Sequence, residues 1–362
     1  MTTAAQSALF EVKAALDAHE YERAIEVLTT AGPSLRVDDE TEFRALLDEG
    51  WGRMSIGEVD EAVAKLDRAR TLSEREGFND LDRAEVLFRL GCCRLKLGVV
   101  TNAVQLLTLA LDLGERSGLL SDPLRIDILL WRTRCYRRQR DWPAARADGD
   151  AAIELAERDG VGAQLADAYL QASQVAERTG QLMIARFYVE RAVDLFRDAG
   201  DLLSAGKALN NLGGILFLLG RADDAKAQLA EAFTVALQLD NDVDAGYAVS
   251  STAQVLLRCA EPEAAEHNAR HALTLLADRR DHVNEIGSAR LVLGRALMEQ
   301  SRFDEADEAL AAADANFEQL GSIGHRAAAW LAQGDLAARR GLIDEAAAVY
   351  RRAAEALQDV RF

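Results

Sequence analysis

Small and polar positions alternate along this 362-residue chain in blocks of about forty residues, and one alanine keeps the register of every block. It stands at Ala24, Ala62, Ala103, Ala145, Ala185, Ala225, Ala265, Ala306 and Ala346, at intervals of 38 to 42 residues. Seven residues after each comes a second alanine: Ala31, Ala69, Ala110, Ala152, Ala192, Ala232, Ala272, Ala313 and Ala353. Seven residues are two helical turns, so each pair lies on one stripe and lets a neighbouring helix approach closely. Five residues before the first alanine, glycine occurs at Gly57, Gly98, Gly180, Gly220 and Gly341, where a helix must stop and the chain reverse. Pro143 and Pro262 fall in that same short turn, and Pro33 and Pro123 fall between blocks, so no proline interrupts a predicted helix interior. Each block therefore predicts a helix A, a tight turn, a helix B and a loop, with helix A over Ala205–Leu219 and helix B over Ala222–Leu237 as the clearest case.

A fixed period of this length is the mark of a repeat protein. The block Ala208–Phe233 resembles a tetratricopeptide repeat, with Leu212, Gly213, Gly220, Ala225, Leu229 and Ala232 at that family's packing positions. Leu87–Leu111 is similar to it through Gly91, Gly98, Ala103, Leu107 and Ala110. The resemblance covers the whole chain. It implies an all-α fold, a right-handed superhelical solenoid of about nine tandem hairpins forming one domain over residues 1–362. The expected repeats are 4–36, 41–77, 82–118, 123–160, 163–200, 203–240, 243–280, 284–321 and 324–359. Three copies depart from the pattern, with Thr133, Ser173 and Ala253 replacing the first glycine, and the period is near forty rather than the family's common thirty-four. Similar long repeats occur in kinesin light chains and in bacterial peptide-pheromone receptors, which implies protein or peptide binding.

Charge narrows the partners. Lys and Arg total 42 against 60 Asp and Glu, a net charge of −18. Such a surface repels phosphate backbones over most of its area, so no direct nucleic-acid partner is expected and any anion site must be local. Cys92, Cys93, Cys135 and Cys259 form no Cys-x-x-Cys pair and are too few for a disulfide scaffold, which favours a reducing, cytoplasmic setting. No signal peptide and no run of eighteen apolar residues is present, so no membrane partner is expected.

Nothing nominates a catalytic nucleophile, base and orienter, and the chain is expected to be no enzyme and to carry no cofactor. His267 and His271, four apart beside Glu263 and Glu266, could hold a metal ion, but residue 268 is asparagine where zinc proteases carry glutamate, and no metal is expected.

The family's inner wall is lined by A helices, and the resemblance turns Lys207, Asn210, Gly214, Phe217 and Leu218 toward the groove. Carried to the fourth repeat, that frame places Asp127, Leu130, Arg134, Arg137 and Arg138 inward, within the string WRTRCYRRQR. Its last position gives Lys96, Arg138, Arg178, Arg258 and Arg339, with Ser55, Leu218 and Glu299 breaking the series. Stacking would turn Lys96, Arg138 and Arg178 into a basic ladder able to hold an acidic side chain, a peptide carboxyl terminus or a phosphate. Alternatively, Glu177, Asp127 or Glu85 neutralises the ladder internally. Asn210 offers a donor and an acceptor to an extended peptide backbone, Asn211 accompanies it, and Gln174 would extend the strip. Phe88, Trp51, Tyr247 and Phe217 would add apolar contacts. The chaperone-tail clamp known in the family is not reproduced, since its first pair of positions holds Leu130 and Arg134, then Leu170 and Gln174.

The expected function is thus a non-catalytic scaffold or sensor that binds an extended peptide or partner segment in its groove. The alternative is a regulator of transcription acting through a separate DNA-binding partner or a missing helix-turn-helix domain. The chain ends at Phe362 with no polar capping helix, from which self-association through an uncapped terminal face is expected.

Overall fold

A computed structural model describes residues 3–160, 162–277 and 282–358. Phe362, at the end of the expected terminal face, lies outside the described residues, as do the last three residues of the expected seventh repeat. Among the described residues the chain consists of eighteen α-helices and one short 3-10 helix, Gly32–Leu35, with no strand. The helices run in chain order as α1 (Thr3–Asp17), α2 (Tyr21–Ala31), α3 (Asp39–Ser55), α4 (Val59–Ser73), α5 (Asp80–Lys96), α6 (Val100–Ser117), α7 (Asp122–Gln139), α8 (Trp142–Asp159) and α9 (Gly162–Arg178). They continue as α10 (Leu182–Asp198), α11 (Leu202–Leu218), α12 (Ala222–Gln238), α13 (Asp242–Arg258), α14 (Pro262–Leu275), α15 (Val283–Glu299), α16 (Phe303–Gln319), α17 (Ile323–Arg339) and α18 (Ile343–Gln358). Odd-numbered helices are the A helices and even-numbered ones the B helices of nine repeats. The chain divides into two compact units, Met1–Val175 and Ala176–Phe362.

The alanine stripe is the interhelical seam. All nine alanines of the first register are buried, eight of them with no exposed surface. The second register is buried too, except at Ala31, where α2 gives way to the 3-10 helix and the position is only partly covered. Small residues at these points let the backbones come close enough for the larger Leu66, Leu107, Leu229 and Leu310 to fill the space between the helices of a hairpin.

Every A-to-B turn has one construction. The residue five before the first alanine is left-handed: Gly57, Gly98, Gly180, Gly220 and Gly341 with φ of 76° to 94°, and His19, Arg140, Ala260 and Ser301 with φ of 59° to 61°. The next amide donates back to a carbonyl five residues earlier, as from Arg221 N to Leu216 O at 2.9 Å and from Asp141 N to Tyr136 O at 2.9 Å. That bond satisfies an orphan carbonyl at the end of helix A. Pro143 and Pro262, expected in the turn itself, sit one step later, in the first turn of α8 and α14, where a missing amide hydrogen costs nothing.

Candidate functional site

Within each unit the backbones of the A helices pack on one another, whereas those of the B helices stand apart among the described residues. In the first unit α1 packs on α3, α3 on α5 and α5 on α7; in the second, α11 packs on α13, α13 on α15 and α15 on α17. Among the described residues the B helices make no close backbone packing with one another, and in the second unit they meet through reaching side chains, as from Arg197 to Glu231, from Arg270 to Glu305 and from Phe233 to His271. The A helices therefore form the narrow, inner side of each unit.

On the first unit's inner side, three aromatic rings from successive A helices meet. Trp51 of α3 stacks on Phe88 of α5 at 6.0 Å between centroids and meets Trp131 of α7 edge-on at 6.4 Å. Arg89 lies over the Trp51 ring and Arg134 over the Trp131 ring, the latter at 4.8 Å. Trp131 was missed in the sequence, although it opens the arginine-rich string.

Arg134 also pairs with Asp167 of α9 at 2.5 Å, and Asp167 accepts a further bond from Gln171 Nε2 at 3.0 Å. Arg137 donates to Gln171 Oε1. Arg138 turns back to the preceding A helix and donates to the Leu95 carbonyl at 2.9 Å, so it caps the α5 end that carries Lys96. Lys96 is exposed and makes no ion pair among the described residues. Two of the three carboxylates expected to neutralise this string do other work. Glu85 pairs with Arg44 at 3.0 Å, and Asp127 accepts from Gln164 Nε2 at 2.6 Å. Burial pushes the Asp127 carboxyl up; the Gln164 bond opposes this, neighbouring Asp167 adds to it, and Arg134 opposes it. Gln174 is half-buried on α9.

The thiols are deep in the packing. Burial raises Cys93 to about 11 and Cys135 to about 12, and raises Cys92 as well, so none of the three is a ready thiolate.

In the second unit, Arg178 is exposed at the end of α9 and makes no ion pair among the described residues. Lys207 reaches Asp244 of α13 at 3.9 Å. Asn210 is half-buried, and its Oδ1 is buried without a hydrogen-bond partner. One turn on, Gly214 faces open space: a Cβ there would meet nothing within 4 Å. Asn211 and Phe217 are half-buried, and Leu218 is 54% exposed. An amide acceptor, a glycine with free room and an apolar edge thus share two turns of one A helix.

Arg258, at the end of α13, lines a cleft of about 880 Å³ together with Arg295, Glu299, Asp335, Arg339 and Tyr350. Arg339 is held bidentately by Glu299 at 2.6 and 3.2 Å and also donates to the Met298 carbonyl at 3.3 Å. Arg339 thereby repeats the capping that Arg138 performs on Leu95: each reaches the carbonyl one residue before the ladder position of the preceding A helix. Tyr350 donates to Asp335 Oδ1 at 2.7 Å. His267 and His271 are exposed on α14; His271 packs edge-on against Phe233, while Glu266 is engaged by Arg270, Gln300 and Arg302. No described helix is long and apolar enough to cross a membrane.

Residues 291–360 match the family model described as tetratricopeptide repeat. A search of curated proteins by sequence finds no match. Among solved structures, the apo form of RapI is similar with a TM-score of 0.72 and 10% identity, over 98% of this chain and 97% of that one. The apo form of the quorum sensor NprR from B. thuringiensis gives 0.72 and 14% identity, over 97% and 98%. NprR in complex with its cognate peptide NprX gives 0.62 and 15%, over 98% and 99%. The repeat that the family model finds near the carboxyl end recurs in one register through the described chain, which has the tetratricopeptide-repeat fold shared with RapI and NprR.

Proposed function

We propose that this protein is a non-catalytic peptide sensor or scaffold whose inner A-helix wall binds an extended peptide, with α11 and α13 as the seat. The observation that carries the reading is the Asn210 acceptor, buried and unpaired beside the open face of Gly214. A buried amide oxygen left without a partner costs free energy that a peptide backbone amide would recover once the Asn210 side chain turns toward the face left open at Gly214, where the absent side chain lets a backbone come close. Asn211 and Lys207 flank this point, Phe217 and Leu218 supply apolar contact, and Arg258 stands at the far end of α13. In the first unit, Lys96, Arg134, Arg138 and Gln174 supply the corresponding polar positions; Arg178, exposed at the end of α9, belongs to the second unit's set. The likeness to NprR with bound NprX supports a peptide as the ligand class.

The test is selection from a pooled library of synthetic octapeptides on the full chain, comparing wild type with Gly214→Trp, which fills the open space without touching the core. The wild type should retain a defined peptide set, and the variant should retain it at least about tenfold less well, as loss of a close backbone contact requires. Equal retention by both proteins, or no enrichment on the wild type, contradicts the reading.

A further inference from the structure

The second unit's cleft holds a charge that its own residues do not balance. Three arginines and two carboxylates line it: Arg258, Arg295 and Arg339, with Glu299 and Asp335. Glu299 is committed to Arg339 through both oxygens. Asp335 takes the Tyr350 hydroxyl and forms no ion pair with a described residue. Arg295 projects from α15 one turn before its end, and its one hydrogen bond goes to the Ala328 carbonyl at 3.5 Å, the outer limit of such a bond. Arg258 has no ion pair among the described residues. Two guanidiniums therefore share one cleft with a single uncommitted carboxylate, in a chain whose net charge is −18.

Their mutual repulsion is felt. Burial lowers Arg295 below the usual guanidinium range, Asp335 pulls it back, and the charge of Arg258 lowers it further. A half-buried arginine in this state gains from an added anion, because a charge-assisted bond replaces both lost hydration and like-charge repulsion.

The geometry points to a carboxylate-binding site in this cleft, in which Arg258 and Arg295 together hold one carboxylate group of a peptide. The spare charge is a single positive one, which matches a monoanion; Glu299 and Asp335 on the same walls repel a phosphate dianion. The inference rests on the groove reading for the peptide nature of the ligand and adds the chemical group that this end of the wall recognises. A peptide offers that group either as its carboxyl terminus or as an acidic side chain.

The two sources separate in side-chain NMR of the full chain labelled with ¹⁵N-arginine, with the Arg258 and Arg295 Nε signals assigned from Arg258→Gln and Arg295→Gln. The probes are N-acetyl-trialanine with a free carboxyl group, N-acetyl-Ala-Glu-Ala amide, N-acetyl-trialanine amide and inorganic phosphate. Both carboxylate probes should shift both signals saturably, with the tighter one identifying the source, and the neutral amide should not. Arg258→Gln, at an exposed position that leaves the fold intact, should weaken the tighter probe at least about tenfold. No shift with either carboxylate, an equal shift with the neutral amide, or tighter binding of phosphate overturns the inference. Library peptides that bind Arg258→Gln as well as wild type, yet are lost in Gly214→Trp, overturn it while leaving the groove reading standing; carboxylate shifts without any retained library peptide do the reverse.

Discussion

Gly213 of α11 lies directly beneath Leu229 of α12, so close that a Cβ on the glycine would stand 2.6 Å from the leucine Cγ. The same relation holds sixteen residues apart in Gly50 and Leu66, Gly91 and Leu107, and Gly294 and Leu310, with separations of 2.6 to 2.8 Å. In the fourth and seventh repeats helix A carries something larger and helix B something smaller at the matching register: Thr133 stands against Gly149 in sequence, and Ala253 against Ala269, which shares its core cluster. These two departures from glycine are thus matched in volume on the partner helix, which is how those repeats tolerate them. Gly213→Ala should destabilise the second unit by about 1–3 kcal/mol through overpacking, and Gly213→Ala with Leu229→Ala should cost less than the sum of the single changes. Urea denaturation of the four proteins measures the coupling; strict additivity contradicts the contact.

The four left-handed residues of A-to-B turns that are not glycine offer a stability gain. Arg140→Gly, Ala260→Gly and Ser301→Gly should each raise stability by up to about 1 kcal/mol, since the native φ disfavours a side chain, whereas Gly220→Ala should lower it by a similar amount. Thermal melts of the four variants test this, and a loss of stability in all three glycine variants would argue against the turn construction.

Arg132 and Asp148 form a bidentate pair, Nε to Oδ2 and Nη2 to Oδ1 both at 2.7 Å, with side-chain exposures of 14% and 10%. Removing the cation strands a buried carboxylate. Arg132→Met should destabilise by about 3 kcal/mol or more, and adding Asp148→Leu should restore most of it, because the charge itself is then gone. Chemical denaturation at neutral pH gives both numbers.

The raised Asp127 carboxyl makes a pH prediction of definite sign. A carboxyl whose folded pKa lies above its unfolded value favours folding while protonated, so its ionisation costs stability above the folded pKa and the cost disappears as pH falls below the unfolded value. Asp127→Asn keeps an acceptor for Gln164 Nε2 and removes the charge. Its melting temperature should exceed that of the wild type at pH 7 and converge on it near pH 3; a variant less stable at pH 7 contradicts the burial argument.

The hairpins were legible because a repeat writes its contacts nine times. The register of Ala24 to Ala346 gave each seam, and counting five residues back from an alanine finds the turn at Arg140 or Ser301 even without a glycine. The inner wall was partly legible. The frame that turned Arg134 inward reaches Arg295 when extended to the eighth repeat, yet the sequence reading stopped at the ladder position one turn later. Which carboxylate meets which arginine was not legible. Arg134 chose Asp167 rather than Asp127, Glu85 or Glu177, because such pairs depend on the rotation of neighbouring helices and on side-chain reach, which a period does not specify. The capping of Leu95 by Arg138 escaped for the same reason: it is a side chain reaching a backbone carbonyl on another repeat.

The central claim is that a peptide lies along the second unit's inner A-helix wall. Hydrogen–deuterium exchange of the full chain, with and without the octapeptide best retained in the library selection, reads this directly. The account predicts peptide-dependent protection confined to α11, α13 and α15, centred on Asn210, and its loss in Gly214→Trp. Protection that falls on α12 and α14, or none at a saturating peptide concentration, would contradict it.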